Sequence, residues 1–417
     1  MMRALSGSVK MSVMLAVALG LVFGGCKKKG KKDKRAKATM AALKSGKAKS
    51  SKKIKKKIKK IKKALKKVAK RKKEKLDKAE YKRLILALAT CKLKKYNWDY
   101  KCPAYQDLQK ARKEKKRDIK DFSKWQSAWA LELIKHKAPT LRWQAVGMMS
   151  SAWAGGMKEE HVNAIIAAGD KEKDIGVLRY MIDSMDSNQK KHPQVGKFII
   201  KNLSHENEDV RLRAVWSLAA WGRDTKDAGK AMVKVIKKDK VKKVQQAACE
   251  GAGKLEDESV LRTLKKLTMN KKTDPDLYYY CFKGVIQMWT QYPFHPKKPS
   301  KKAYKLTLKL LKQGGRTEKR PPWGIAGMFS NLYKEADKSY KKWADTAKWY
   351  KKKDLVKAIG KVIGDPKAGW MVRSYLVETA AKLGAEKKFF TNLLKAYKGK
   401  ETKHPHSYVT KALKKRI

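Results

Sequence analysis

From about residue 77 onward the apolar positions recur at helical spacing, and whole segments return at roughly 34-residue intervals. Five of them align: TLRWQAVGMMSSAW from Thr140, DIGVLRYMIDSM from Asp174, DVRLRAVWSLAAWG from Asp209, KVQQAACEGAGKL from Lys243 and DLYYYCFKGVIQMW from Asp276. Their second residues, Leu141, Ile175, Val210, Val244 and Leu277, are 34, 35, 34 and 33 apart. Shorter amphipathic runs lie between them, such as Val195, Phe198 and Ile199, or Met232, Val235 and Ile236. Each unit therefore reads as two helices joined by a polar turn. Asp174, Asp209 and the Asp274-Pro275 pair stand where an N-cap or a first-turn proline would open the second helix.

The pattern predicts an all-α chain, an α-solenoid of helix pairs stacked in order over 123–291. Residues 77–122 are expected to form a helical N-terminal cap, because the end unit of a solenoid must cover an apolar face. The stretch 292–302, YPFHPKKPSKK, carries three prolines and should interrupt the array. Residues 303–417 read as further, less regular pairs, with an inserted helix near Ser339 to Tyr350.

Asp209, Val210, Arg211, Ala214 and Leu218 resemble the second helix of the HEAT repeat, which opens Asp-x-Val-Arg or similar and continues with Ala and Leu at helical spacing. Leu141-Arg142-Ala145 and Val372-Arg373 repeat the apolar-Arg step, whereas the units at Ile175, Val244 and Leu277 lack the arginine. The resemblance implies that Arg142, Arg211 and Arg373 bridge adjacent repeats, and that a protein partner binds along the concave face.

The N-terminus follows another logic. Arg3 and Lys10 precede an apolar run from Met11 to Phe23, too short for the roughly 20 residues of a membrane span, and small residues end it at Cys26. This resembles the lipobox of bacterial lipoproteins, with Phe23 in place of the usual leucine. It implies a signal peptide over 1–25, lipidation of Cys26 and a lipid anchor in the cell envelope. Lys27 after that cysteine implies the outer membrane, facing the periplasm. Over 26–76, 27 Lys and Arg stand against Asp33 and Glu74 alone. Its first half reads as a solvated tether. In its second half Ile54, Ile58, Ile61, Leu65 and Val68 form one stripe, surrounded by Lys52, Lys53, Lys55, Lys56, Lys57, Lys59, Lys60, Lys62, Lys63, Lys66 and Lys67. A basic amphipathic helix of this kind suits an anionic membrane or another envelope polyanion.

Composition narrows the function without naming a reaction. The 417 residues contain 106 Lys plus Arg and 38 Asp plus Glu, a formal charge of +68, with 42% hydrophobic residues to build a core. The part beyond residue 76 still carries +41, which favours an acidic protein partner. Cys91 and Cys102 are expected to form a disulfide in an oxidising envelope, worth about 2–3 kcal/mol. Cys249 and Cys281 fall at apolar positions of second helices and read as buried free thiols. Trp143, Trp153, Trp216, Trp221 and Trp289 are expected to pack between helix layers. His404-Pro405-His406 is a poor metal pair, and no metal site, cofactor or catalytic motif is apparent. The expected protein is a non-enzymatic, envelope-anchored scaffold with no specific nucleic-acid ligand. A basic nucleic-acid-binding HEAT-like protein and an enzyme framed on a solenoid are the alternatives.

Overall fold

The computed structural model describes residues 76–417 apart from 95, 115–118, 151–156, 291–295, 314–322, 334, 399–402 and 405. The signal peptide, Cys26 and the lysines from Lys52 to Lys67 lie outside the described residues.

The N-terminal cap is not purely helical. Helix α1 (Lys78–Ala87) starts at Asp77, whose carboxylate accepts the Glu80 amide at 2.7 Å. A short antiparallel hairpin follows, β1 (Leu93–Lys94) paired with β2 (Asn97–Trp98), turning through Tyr96 at φ 70°. A Cys91–Cys102 disulfide closes the base of this hairpin. Helix α2 (Pro103–Glu114) completes the cap.

The helix pairs then run in sequence. They are α3 (Ile119–Leu133) with α4 (Pro139–Ser150), α5 (Glu159–Gly169) with α6 (Ile175–Met185), and α7 (Pro193–Asn202) with α8 (Glu208–Trp221). Next come α9 (Ala228–Lys238) with α10 (Lys242–Ala252), and α11 (Leu261–Met269) with α12 (Pro275–Thr290). The second helices α4, α6, α8, α10 and α12 pack side by side in chain order, and more closely than the first helices do. The result is an all-α solenoid of HEAT-like repeats whose inner layer is built from second helices.

Caps set the register of that layer. The third helical residue packs inward, at Leu141, Val177, Val210 and Val244, all buried, and at Leu277, partly buried. Within α6 the position equivalent to Val210 is thus Val177, not Ile175. Asp174 caps α6 by accepting the Val177 amide at 2.9 Å, which makes Ile175 merely the first residue of the helix. The corresponding correction in α8 is that Asn207, not Asp209, is the N-cap, with its side chain accepting the amides of Asp209 and Val210. Asp274 does open α12, accepting the Leu277 amide at 3.1 Å, with Pro275 as the first helical residue.

The layers are tightest between α10 and α12. A Cβ on Gly253 would lie 2.1 Å from the Gly284 carbonyl oxygen, and one on Gly284 would lie 2.2 Å from the Cys249 carbonyl oxygen. Only glycine permits that backbone approach. It also overturns the expectation of free thiols: Cys249 and Cys281 are joined in a disulfide, with Cα atoms 4.6 Å apart.

Past the proline-rich stretch the order loosens. Lys297 and Lys298 donate their amides to the Glu256 carboxylate, and Ser300 caps α13 (Lys301–Lys312). A run of 3₁₀ turns over Trp323–Tyr333 stands where a regular second helix would be. The inserted helix, α14 (Lys338–Thr346), drives Trp343 into the core, where its indole donates to the Trp289 carbonyl at 2.7 Å. Trp289 in turn donates to Thr307, and Tyr304, Phe329 and Tyr350 close around it. Burial raises the Tyr304 hydroxyl to about 12 and the Tyr350 hydroxyl further. Helices α15 (Lys352–Ile363), α16 (Trp370–Lys382), α17 (Lys387–Lys395) and α18 (His406–Lys414) end the chain.

Candidate interaction surface

Second-helix arginines fasten one repeat to the next. Arg142 grips Glu172 with both ends of its fork, at 2.6 and 2.6 Å, and donates to the carbonyls of His136 and Lys137. Arg211 does the same to Asp239, at 2.7 and 3.0 Å, and to the carbonyls of His205 and Glu206. Both acceptors sit two residues before the next second helix's cap position, and each also receives a backbone amide there. The preceding histidines match as well: Nδ1 of His136 accepts the Ala138 amide and Nδ1 of His205 the Asn207 amide, each at 3.0 Å. The planar fork makes this joint, which lysine could not reproduce. Asp239 in turn holds Arg211 more firmly protonated than an ordinary arginine.

Arg373 occupies the same fourth helical position in α16 but meets a different partner. It is fully buried, donating to Tyr397 Oη at 3.1 Å and lying 3.3 Å from His406 Nδ1, with no carboxylate partner among the described residues. His404 faces away, against Trp370 and Tyr408. No group of His, Cys, Asp or Glu suited to a metal ion occurs among the described residues.

Val210, Ala214 and Leu218 of α8 are fully buried, so they belong to the core. The sixth and ninth helical positions of the second helices instead face outward and form a ridge. At the sixth position stand Tyr180, Arg213, Tyr280 and Tyr375; at the ninth, Asp183, Trp216, Glu250, Lys283 and Glu378. Tyr180 stacks on Trp143 with ring centroids 4.2 Å apart. Arg213 pairs with Asp183 and reaches Asp186 at 3.6 Å. Burial governs both partners of that longer contact: it lifts the Asp186 carboxyl to about 6 and lowers Arg213, outweighing their attraction at 3.6 Å. Lys283 pairs with Glu250 at 2.8 Å and lies over the rings of Tyr279 and Tyr280.

Two tryptophans of this layer are not packed between helices. Trp216 is 45% and Trp221 51% exposed, whereas Trp289 is buried and Trp143 partly so; Trp153 lies outside the described residues. Near the C-terminus Met371, Tyr375 and Tyr408 are also exposed. Tyr408 borders a groove of about 280 Å³ between α16 and α18, lined also by Glu378, Lys411 and Lys415.

The hairpin covers the N-terminal edge of the ridge. Tyr96 donates its hydroxyl to Asp209 at 2.7 Å, and the Arg179 guanidinium lies 4.2 Å from its ring centre. Asp209 thus ties the cap to the third repeat rather than capping its own helix, and its carboxylate raises the Tyr96 hydroxyl. The sequence offered one sign of the arginine joints that periodicity overlooks, since His136 and His205 each stand six residues before Arg142 and Arg211. Nothing comparable marks Tyr96.

The HEAT-repeat family matches residues 196–277, from α7 into α12. HEAT repeats commonly mediate protein–protein interaction, and solenoids of this kind are typically non-catalytic. No curated protein matches the chain. A crystal structure described as an engineered protein aligns over 69% of this chain and 96% of its own length, at 14% identity. The TM-score of that alignment is 0.22. No helix among the described residues is long and apolar enough to cross a membrane.

Proposed function

We propose that this protein is an envelope-anchored lipoprotein whose HEAT-like solenoid serves as a scaffold for a protein partner. The observation that carries the reading is the ridge itself. On the ridge Trp216 stands exposed beside charges that are already paired, Trp221 is exposed at the end of the same helix, and Met371 and Tyr375 are exposed on α16. Exposed aromatics within a rim of satisfied polar groups are the usual anchors of a protein interface. Cys26 supplies the lipid anchor, Lys27 directs it to the outer membrane, and the lysines from Lys52 to Lys67 hold the tether against anionic envelope surface.

The partner reads the ridge by shape and aromatic contact; the overall positive charge draws an acidic partner toward it. Affinity purification from cross-linked envelopes tests this, comparing the wild type with a Trp216→Ala/Trp221→Ala variant. Loss of one specific protein from the variant, with its helical signal unchanged, is the expected result. Identical recovery from both would reject the ridge as the interface.

A further inference from the structure

The two helix layers of the solenoid carry their charge differently. On the second helices the cations are mostly engaged: Arg142 with Glu172, Arg211 with Asp239, Lys242 with Asp274 and Lys283 with Glu250. On the first helices from α7 onward the balance reverses, whereas α5 opens on Glu159 and Glu160. Helices α7, α9, α11 and α13 contain no Asp or Glu at all, and α13 alone holds five lysines. The apolar side of each is buried in the repeat, so the lysines point away from it: Lys197 on α7, Lys234 on α9, Lys265 on α11, Lys305 and Lys309 on α13, and Lys357 on α15 are all exposed. Carboxylates reach this layer at its margins, where Asp170 pairs with Lys201, Asp227 with Lys230 and Glu258 with Lys302, and once within it, at Asp354 in the first turn of α15.

We infer that the first-helix layer is a second, independent contact surface, fitted to the anionic headgroups of a lipid bilayer. Geometry selects that occupant. Along a helix, lysines four residues apart lie about 6 Å from each other, and neighbouring helices are about 10 Å apart. Continued from α7 to α15, this makes a two-dimensional lattice of cations. A planar array of headgroups can meet many points of such a lattice, whereas one extended polymer follows a single row. None of the exposed large apolar side chains lies on α7, α9, α11, α13 or α15, so the face has neither a stacking platform for bases nor a wedge for insertion. Its cations are lysines with the exception of Arg262, which suits a diffuse, salt-screened field better than bidentate phosphate recognition. The solenoid would lie with its lysine layer on the bilayer and its ridge turned to the aqueous side. The inference rests on the solenoid alone and stands or falls separately from lipidation at Cys26.

Lysine acetylation footprinting of the full chain tests it. The protein is treated with an acetylating reagent beside vesicles of phosphatidylcholine alone and beside vesicles containing about 30% phosphatidylglycerol, which present an anionic surface. Slower acetylation of Lys234, Lys305, Lys309 and Lys357 with the anionic vesicles, reversed by high salt, is the expected result. Protection confined to the lysines before residue 76 would overturn the inference. So would protection of the layer by soluble polyphosphate but not by vesicles, which would assign it to a linear polyanion. A variant with those four lysines changed to glutamine should keep the wild-type melting curve and bind anionic vesicles about tenfold or more less tightly. Undiminished binding by a folded variant would also overturn it.

Discussion

Replacing Arg211 with methionine should loosen one joint of the solenoid and leave the others intact. The guanidinium makes two bonds to the Asp239 carboxylate and two to backbone carbonyls, and the pair's side chains are only 13% and 4% exposed. Removing it strands Asp239 with the Val241 amide as its remaining side-chain partner. Breaking a buried pair from one side costs about 3–5 kcal/mol. A solenoid need not unfold in one step, so the change belongs to the α8–α10 joint rather than to a global midpoint. Hydrogen-exchange mass spectrometry on peptides from α8 to α10 should show amide exchange about 150- to 5000-fold faster. Arg211→Lys should recover less than half of the loss, because it restores charge without the fork. Adding Asp239→Asn to Arg211→Met should recover 1–3 kcal/mol, since no uncompensated charge then remains buried. A change below about 1 kcal/mol, or one spread evenly along the array, would refute the clamp as a structural joint.

Three further outcomes are expected. Changing Cys249 and Cys281 together to alanine should lower stability by roughly 4 kcal/mol, the value expected for a bridge spanning 32 residues, measured by chemical denaturation under oxidising conditions. Asp186, raised to about 6 by burial, keeps its proton in the fold up to about pH 6, while the unfolded chain ionises near 3.9. The folded state therefore carries no penalty below about pH 4, a growing one between 4 and 6, and the full penalty above 6. Asp186→Asn should accordingly stabilise the protein by about 1–2 kcal/mol at pH 8 and by nothing at pH 4; equal effects at both values would exclude this cause. Radiolabelled palmitate should enter the wild type but not Cys26→Ala, with the labelled protein in the membrane fraction; unlabelled wild type would remove the anchor.

Much of the array is legible in the sequence because its core depends on spacing within one helix. Val210, Ala214 and Leu218 repeat at steps any helix dictates, and all three are buried. Register is harder, since Ile175 is apolar at the first helical position and imitates the inward residue that Val177 really is. Only the cap distinguishes them. Burial of the outward face is set by neighbours in other repeats, which is why Trp216 and Trp289 look alike in sequence and differ in the fold. The Cys249–Cys281 bridge depends on the backbone approach at Gly253 and Gly284, again a property of two repeats together. The hairpin is the least legible element: its strands are two residues long, and contacts with Gly176, Arg179 and Asp209 hold its turn in place.

In the proposed function the ridge of second helices receives the protein partner. A photo-cross-linking scan in living cells tests it most directly, with a photoreactive residue placed in turn at Asp183, Trp216, Glu250 and Tyr375 on the ridge, and at Lys197, Lys234 and Lys305 on the first-helix layer. One discrete protein adduct, common to the ridge positions and absent from the layer, is the expected result. Protein adducts arising only from the layer, or from neither face, would contradict it.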